Sequence, residues 1–449
     1  LQWNPQGAQE NELIFISGNP GNTERLKTVA QLRYLREVGN PQRLRSLKRR
    51  RAALLRYAAQ GSEQQRQITA LLAGVENGLK ALTGYQEGLL DPKVFAEKEA
   101  AEKDLRQRIA ANPDLQRQYG RAWDDLATAY QKMPLLNRRL AFSSFRSSPL
   151  ATLASGIVRY TTELAKGNVP ADSLDSVRFR LLSPAPIYPS LEEALLTEAL
   201  QESLDELGKD DPFVQAALGN QTPAKVAQEV IRNTKLMAVD FRKSLLEAGL
   251  KAVESSTDPL LTLMRKLDPL RQQIEQAYDR EIESLELTAG EQIGKARFAI
   301  YGKTTSPDAT FSLRLSYGVV KGYELGTTYI PYKTTFHGLY DRVASFDGKA
   351  PFNLPERVLA RKNRVKLETP LNFVCTADTI GGNSGSPIIN RQAELVGILF
   401  DGNIQSLVWQ YSFTEETGRS VGVHSAGIIE ALRNIYDATP LVTEILTKK

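Results

Sequence analysis

The sequence predicts an α+β chain of several domains, with a large α-helical domain followed by a β domain that closes on a C-terminal helix. Three observations lead there. Residues 91–300 hold eight glycines in 210 positions, whereas residues 301–449 hold fourteen in 149. Glycine punctuates turns, so the glycine-poor stretch, rich in Ala, Leu, Glu, Gln, Lys and Arg, favours long helices. Near Gly302 the apolar spacing changes from threes and fours to twos. A length of 449 residues, at about 150 per domain, gives roughly three domains' worth of chain.

Leu13–Ser17 is a short apolar run with strand character. Gly18-Asn-Pro-Gly21 ends it in a turn, and Thr23 is placed to cap a helix through Leu26, Val29 and Leu32. Residues 1–40 therefore read as the end of a β region and the entry to the helices. Residues 41–302 form the helical domain. Leu44, Leu47, Leu54 and Leu55 make one apolar stripe, and Val226, Val230, Met237 and Phe241 another. Leu260, Leu263, Leu267, Leu270 and Ile274 line a helix directed toward Phe298. Breaks are expected near Pro92, Pro113, Pro134, Pro149, Pro184–Pro189, Pro212 and Pro223, and no fixed-period repeat is present. Residues 303–449 form the β domain. Phe311, Leu313, Leu315 and Tyr317 alternate with polar residues, and further strands are expected at 319–324, 327–331, 395–400, 407–413 and 420–424. Ile428, Ile429, Leu432 and Ile435 place one helix over Gly427–Asp437.

Composition removes several classes of function. With 41% apolar and 24% charged residues the chain has material for large cores and a soluble surface, which excludes a disordered tail. No apolar run approaches the ~18 residues of a membrane span. The excess of Lys and Arg over Asp and Glu is 57 − 52 = 5, too slight to argue for nucleic acid. A single cysteine, Cys375, forbids an internal disulfide, and with only His337 and His424 a histidine-rich metal centre is nearly excluded.

The chemistry is carried by Asp378-Thr-Ile-Gly-Gly-Asn-Ser-Gly-Ser-Pro387. Gly382-Asn-Ser-Gly-Ser-Pro has the G-x-S-G-x-P form found around the nucleophile of chymotrypsin-like serine proteases. Glycines on either side of Ser384 allow a backbone corner that aims two N–H groups into one hollow. In that geometry the N–H groups of Gly382 and Ser384 form the oxyanion hole and the Ser384 hydroxyl attacks. Losing one such donor costs about 3–4 kcal/mol of transition-state stabilisation. A base is harder to find. His337 precedes Ser384 by 47 residues and His424 follows it by 40. His337 reads as a loop or strand-end residue and His424 as the end of a strand, and both are expected to be structural. Asp378, six positions before the serine, could floor a pocket for a basic side chain, as in trypsin-like endopeptidases. A turn-capping role near Thr379 is preferred.

Three segments together resemble the bacterial S46 dipeptidyl peptidases of the dipeptidyl peptidase 7 and 11 group. They are Phe15-Ile-Ser-Gly-Asn-Pro-Gly-Asn-Thr23, Asn372-Phe373 with Gly381 to Pro387, and Leu395-Val-Gly-Ile-Leu-Phe-Asp-Gly-Asn403. The resemblance implies a chymotrypsin-type double β-barrel with the helical domain inserted before the second barrel and capping the cleft. It implies that Ser384 is the nucleophile, that Asp401 faces the substrate's N-terminal ammonium, and that Asn40 contacts the same amine. Gly402 falls where an arginine suits acidic P1 residues, so glycine implies apolar or neutral ones. The family's catalytic histidine and aspartate lie upstream of Leu1, so the chain reads as the C-terminal part of a longer peptidase, inactive alone. Its implied partners are peptides with free N-termini and the missing N-terminal barrel. A second copy of the chain is admitted, no cofactor is needed, and the implied location is the bacterial periplasm or cell surface.

The residues also admit two other functions. Asp378 supports the trypsin-like endopeptidase. Arg43, Arg45, Lys48, Arg49, Arg50, Arg51 and Arg56 make a basic helix that could serve a non-catalytic binding protein. Only Tyr57 accompanies them, so base stacking is not supported, and arginines paired with neighbouring carboxylates are expected.

Overall fold

The computed structural model describes residues 2–167 and 174–447. The chain divides into two compact units, Leu1–Lys27 with Gly84–Glu97 and Ser306–Lys449, and Thr28–Thr83 with Lys98–Thr305. Against expected limits at 40 and 302, the divisions thus fall at 27/28 and 305/306, and residues 84–97 join the sheet-bearing unit. Among the described residues no helix is long and apolar enough to cross a membrane.

The second unit is helical throughout, with no strand among its described residues. The helices do break near most of the expected prolines, and there, as at Pro259, the proline stands at the start of the next helix. Pro149, Pro212, Pro223 and Pro259 stand in the first turn of helices Pro149–Lys166, Pro212–Leu218, Pro223–Asn233 and Pro259–Tyr278. Each is preceded by a side chain that accepts from the open N–H groups: Ser148, Asp211, Thr222 and Asp258. Pro134 departs from expectation, because helix Ala122–Phe142 runs through it. Buried Leu126, Tyr130 and Met133 before it and Phe142 after it hold the helix despite the one missing hydrogen bond. The Leu260–Ile274 stripe lies on Pro259–Tyr278, and a π-turn at Asp279–Glu283 carries the helical path into Ser284–Tyr301. Helix Pro223–Asn233 ends before Met237 and Phe241, so that expected stripe belongs to two elements. Thr28, not Thr23, caps the first helix, Val29–Tyr34. Thr23 instead donates to Asp308 Oδ1 at 2.6 Å.

Among its described residues the first unit contains ten strands: β1 (Gln2–Trp3), β2 (Leu13–Gly18), β3 (Arg314–Val319), β4 (Tyr323–Leu325), β5 (Thr328–Ile330), β6 (Lys333–Thr335), β7 (Pro370–Cys375), β8 (Pro387–Asn390), β9 (Glu394–Gly402) and β10 (Ser420–His424). The main path is β3-β2-β8-β9-β10-β7-β6, with β1 beside β9, while β4 and β5 form their own hairpin. Every pairing is antiparallel except β1 with β9. Just past β3 the chain returns to β7: Val320 bridges Cys375, Thr376 N donates to Val319 O at 3.0 Å and Lys321 N to Val374 O at 3.2 Å. These bonds close the sheet between the first and sixth strands of the path, and Ile14, Ile16, Phe373, Cys375, Ile388, Val396 and Leu399 fill its interior.

Several expectations for this unit are corrected. The segment 407–413 is not a strand: its first four residues belong to a 3₁₀ turn, Ile404–Gln410, which Asn403 caps through Ser406 N. Buried Trp409 fixes that turn by donating to Thr414 O at 2.9 Å. The helix expected over Gly427–Asp437 begins at Ser425 and is not alone: Phe336–Ser345 and Thr439–Leu446 are also helical. The alternating set before Gly318 does include a strand, but its apolar side faces outward. Phe311, Leu313, Leu315 and Tyr317 are 63%, 70%, 66% and 71% exposed. Four large apolar side chains at every second position form a patch that a lone folded unit rarely displays.

Candidate active site

The corner around Ser384 is built by two glycines in conformations that other residues rarely adopt. Gly382 has φ +108° and Gly385 φ +87°. A Cβ on Gly382 would lie 2.6 Å from Asn19 O and 2.7 Å from Gly21 N, so the Gly18–Gly21 turn packs directly against the loop. Gly21 N donates to Gly381 O at 2.7 Å. A Cβ on Gly18 would lie 2.1 Å from Ser386 Oγ. The Phe15–Thr23 segment is therefore the support of the corner, a contact between residues about 365 positions apart that no local motif announces.

The loop's hydrogen bonds alternate. Asn383 N donates to Ile380 O, Gly385 N to Leu399 O and Ser386 N to Asn383 O, at 3.1, 2.7 and 3.0 Å. Among the described residues, no such internal acceptor takes the N–H of Gly382 or of Ser384. Buried Asn383 also ties its amide to Ile380 O at 3.1 Å. Ser384 itself is exposed, and its Oγ reaches Phe400 O at 3.3 Å. The hydroxyl is thereby held beside the end of β9, where Asp401 and Gly402 follow. Ser384, Gly382, Asp401 and Gly402 thus share one locality.

Asp401 is exposed, and its Oδ1 accepts from Gly402 N at 2.9 Å. Gly402 is less open than expected. A Cβ there would meet Ser406 Oγ at 2.3 Å, while that hydroxyl donates to Asn403 O at 2.7 Å. A side chain at this position must displace the Ser406 hydroxyl before it can enter any pocket. Asn40 lies in the helical unit, buried in the first turn of helix Asn40–Ala58.

Neither imidazole bonds Ser384 among the described residues. His424 is buried at the end of β10, where its Nε2 lies 3.1 Å from Ala8 O and its Nδ1 accepts from Ala426 N at 3.2 Å. This assigns a neutral ring with the proton on Nε2. Burial pushes its pKa down, against a smaller opposing effect of the Ala8 bond. His337 is exposed in the first turn of helix Phe336–Ser345, not in a loop or at a strand end. Its backbone N–H donates to Leu367 O at 2.8 Å.

Asp378 does something that sequence reasoning missed. It neither caps a turn nor floors an open pocket, because Arg25 holds it through Nη1 at 2.5 Å and Nη2 at 2.8 Å. Arg25 Nε also donates to Trp409 O at 2.8 Å, which fixes the guanidinium plane. A carboxylate whose charge is already matched by a bidentate arginine is a poor partner for a substrate cation. Three arginines of the basic helix are paired with carboxylates. Arg49 pairs with Glu198 and Asp205, Arg51 with Glu76, and Arg56 with Glu198.

Known proteins match the chain end to end. It is 22% identical over 99% of its length to an Asp/Glu-specific dipeptidyl-peptidase of Shewanella putrefaciens, covering 66% of that protein. It is 24% identical over 98% of its length to a dipeptidyl-peptidase 7 of Capnocytophaga gingivalis, covering 64% of it. Its fold is similar to that of Porphyromonas endodontalis DPP11 solved with the dipeptide Arg-Glu, with a TM-score of 0.78 at 17% identity, over the whole of this chain and 66% of the other. The chain therefore spans about two thirds of the length of the relatives it matches. The peptidase S46 family model matches residues 1–447, and the chain belongs to that family.

Proposed function

We propose that this chain is the nucleophile-bearing portion of a serine-type dipeptidyl peptidase that releases dipeptides from free N-termini. Its relatives carry dipeptidyl-peptidase names. The observation that carries the serine mechanism is the exposed Ser384 hydroxyl between Gly382 and Gly385, beside two N–H groups that the loop does not use. In this reading Ser384 Oγ attacks the carbonyl carbon of the substrate's second residue and passes its proton to a histidine. The tetrahedral oxyanion accepts from Gly382 N and Ser384 N. Collapse expels the new N-terminus of the shortened peptide, protonated by the same histidine, and water then releases the dipeptide from the acyl-enzyme. Asp401 pairs with the substrate ammonium. Gly402 favours neutral or apolar P1 side chains. No step calls for a cofactor.

The histidine and aspartate are proposed to come from polypeptide outside these 449 residues, in the first barrel of a chymotrypsin-like pair whose second barrel is the closed sheet. Two observations support this: His424 is committed to Ala8 and Ala426, and the Leu315–Tyr317 face is uncovered. Export to the periplasm or cell surface accompanies the same family reading. The endopeptidase alternative loses its support once Asp378 is paired with Arg25.

The test uses a chromogenic dipeptide of Met-Leu or Gly-Leu type. The 449-residue chain alone is expected to show no turnover, and a longer protein containing it is expected to turn over free but not N-acetylated substrate. Ser384→Ala in that longer protein should remove on the order of a millionfold of kcat, to the limit of detection. Turnover by the 449 residues alone, lost on Ser384→Ala, would show that the base lies within them. Full activity of the longer Ser384→Ala protein would refute the nucleophile.

A further inference from the structure

Among the described residues the ion pairs of the basic helix use Arg49, Arg51 and Arg56 and leave Arg43, Arg45 and Arg50 outside them. Arg43 and Arg50 line a cavity of about 300 Å³ in the helical unit, together with Arg146, Ser46, Ser144 and Ser147. Arg50 is half-buried, and its Nε has no hydrogen-bond partner among the described residues. Burial pushes its guanidinium below the ordinary value, eased only by the charge of Glu192. That carboxylate is itself engaged by Ser148 Oγ at 2.8 Å and Leu150 N at 3.0 Å. A desolvated cation with an unused donor is costly to keep in a folded chain unless something completes it.

The two carboxylates in the cavity wall are already engaged. Glu198 accepts from Arg49 Nε at 2.9 Å and Arg56 Nη2 at 2.8 Å. Glu202 accepts from Ser46 Oγ at 2.6 Å, and burial raises its pKa against the opposing Ser46 bond and Arg49 charge. Three guanidiniums therefore face the space without a matching free anion. The adjoining cavity, about 210 Å³, shares Ser144 and Arg146 with the first, while its Arg159 and Arg271 pair with Glu275. It is lined by Ser143, 1% exposed with an unpartnered Oγ, and by Arg271, whose Nε is also unpartnered. Unused donors thus collect on both sides of the Ser143–Arg146 segment.

We propose that the cavity lined by Arg43, Arg50 and Arg146 is an anion-binding site of the helical unit, for a small ligand that presents a carboxylate or phosphate group. Its volume is at the lower end of small-molecule pockets, enough for the charged group and a few further heavy atoms. Planar guanidiniums suit such oxyanions because two N–H groups can engage two oxygens at once. The site stands independently of the peptidase chemistry.

The test is calorimetric titration of the 449-residue chain with inorganic phosphate and, separately, with succinate, at constant ionic strength and neutral pH. Single-site binding of either is expected. Arg50→Met should weaken it by about tenfold or more, the usual worth of a charge-assisted bond. Arg146→Met, at an exposed position, provides a second variant that leaves the interior packing untouched and should also weaken binding. Lys48→Met, on the same helix but outside the cavity, should not. Phosphate binding without succinate binding identifies a phosphate ligand, the reverse a carboxylate, and binding of both an oxyanion site of either kind. No binding of either at about 10 mM, a free energy under ~3 kcal/mol, overturns the proposal. Equal loss in Lys48→Met, or none in both Arg50→Met and Arg146→Met, overturns it too.

Discussion

His424 shows how a single side chain can hold structure where catalysis might have been sought. Its two ring nitrogens are used by Ala8 O and Ala426 N, and a Cβ on Gly7 would overlap the ring at 2.0 Å from Cε1. Because burial lowers its folded pKa below the ordinary 6.5, the unfolded chain takes up a proton first as pH falls. The stability tied to the neutral ring is therefore fully present above about 6.5 and is lost as pH falls from there through the depressed folded value. Urea unfolding followed from pH 8 to pH 5 should show a steeper loss in the wild type than in His424→Gln. Parallel curves would mean that the imidazole titrates alike in both states. At this scale legibility followed distance along the chain. The Ser384 corner could be read because its glycines are immediate neighbours of the serine. The Arg25–Asp378 pair could not, since its partners are 353 positions apart and neither lies in a recognisable pattern. The crowding at Gly402 was equally hidden, because Ser406 reaches back from a 3₁₀ turn that no local pattern announces.

At the scale of elements, the prolines marked the helix boundaries in the sequence, and the structure adds that most of these boundaries are starts. Ser148-Pro149, Thr222-Pro223 and Asp258-Pro259 look like interruptions when read as breakers, yet a capping side chain followed by proline is a start signal. The first helix of the helical unit starts without proline. Thr28 Oγ1 accepts from Gln31 N at 3.4 Å and Gln31 Oε1 accepts from Thr28 N at 2.9 Å, a reciprocal pair that closes the N-terminus. Thr28→Ala should destabilise the helical unit by about 1 kcal/mol, read as a lower urea midpoint with an unchanged slope. Thr23→Ala tests the competing assignment: it breaks the bond to Asp308 in the sheet-bearing unit and should leave the helical unit's transition in place. Strand β7 escaped prediction because Pro370-Leu-Asn-Phe-Val-Cys375 has only its last three residues in clear alternation. What makes it a strand is pairing on both sides, with β10 and β6.

For the whole molecule, the change of glycine density near residue 302 anticipated the passage from helices to sheet, since local propensity governs both. It could not anticipate that residues 84–97 join the sheet-bearing unit, because that assignment is made by side chains meeting across the fold: Tyr85 lies edge-on to Tyr411 at 6.3 Å and a Cβ on Gly84 would press on Leu407. Two units with separate cores need not melt together. Cys375 makes that testable, because it is the chain's sole thiol and belongs to only one of them. It is fully buried inside the closed sheet, where desolvation pushes its pKa up to about 11. Reaction with a thiol-specific dye is expected only when the sheet opens, and its denaturant dependence should be independent of Thr28→Ala. If the same substitution shifts dye uptake and far-ultraviolet dichroism equally, the two units unfold as one. The lone sulfur thus serves as an internal stopwatch, timing the exposure of one half of the protein while the other half remains silent to the reagent.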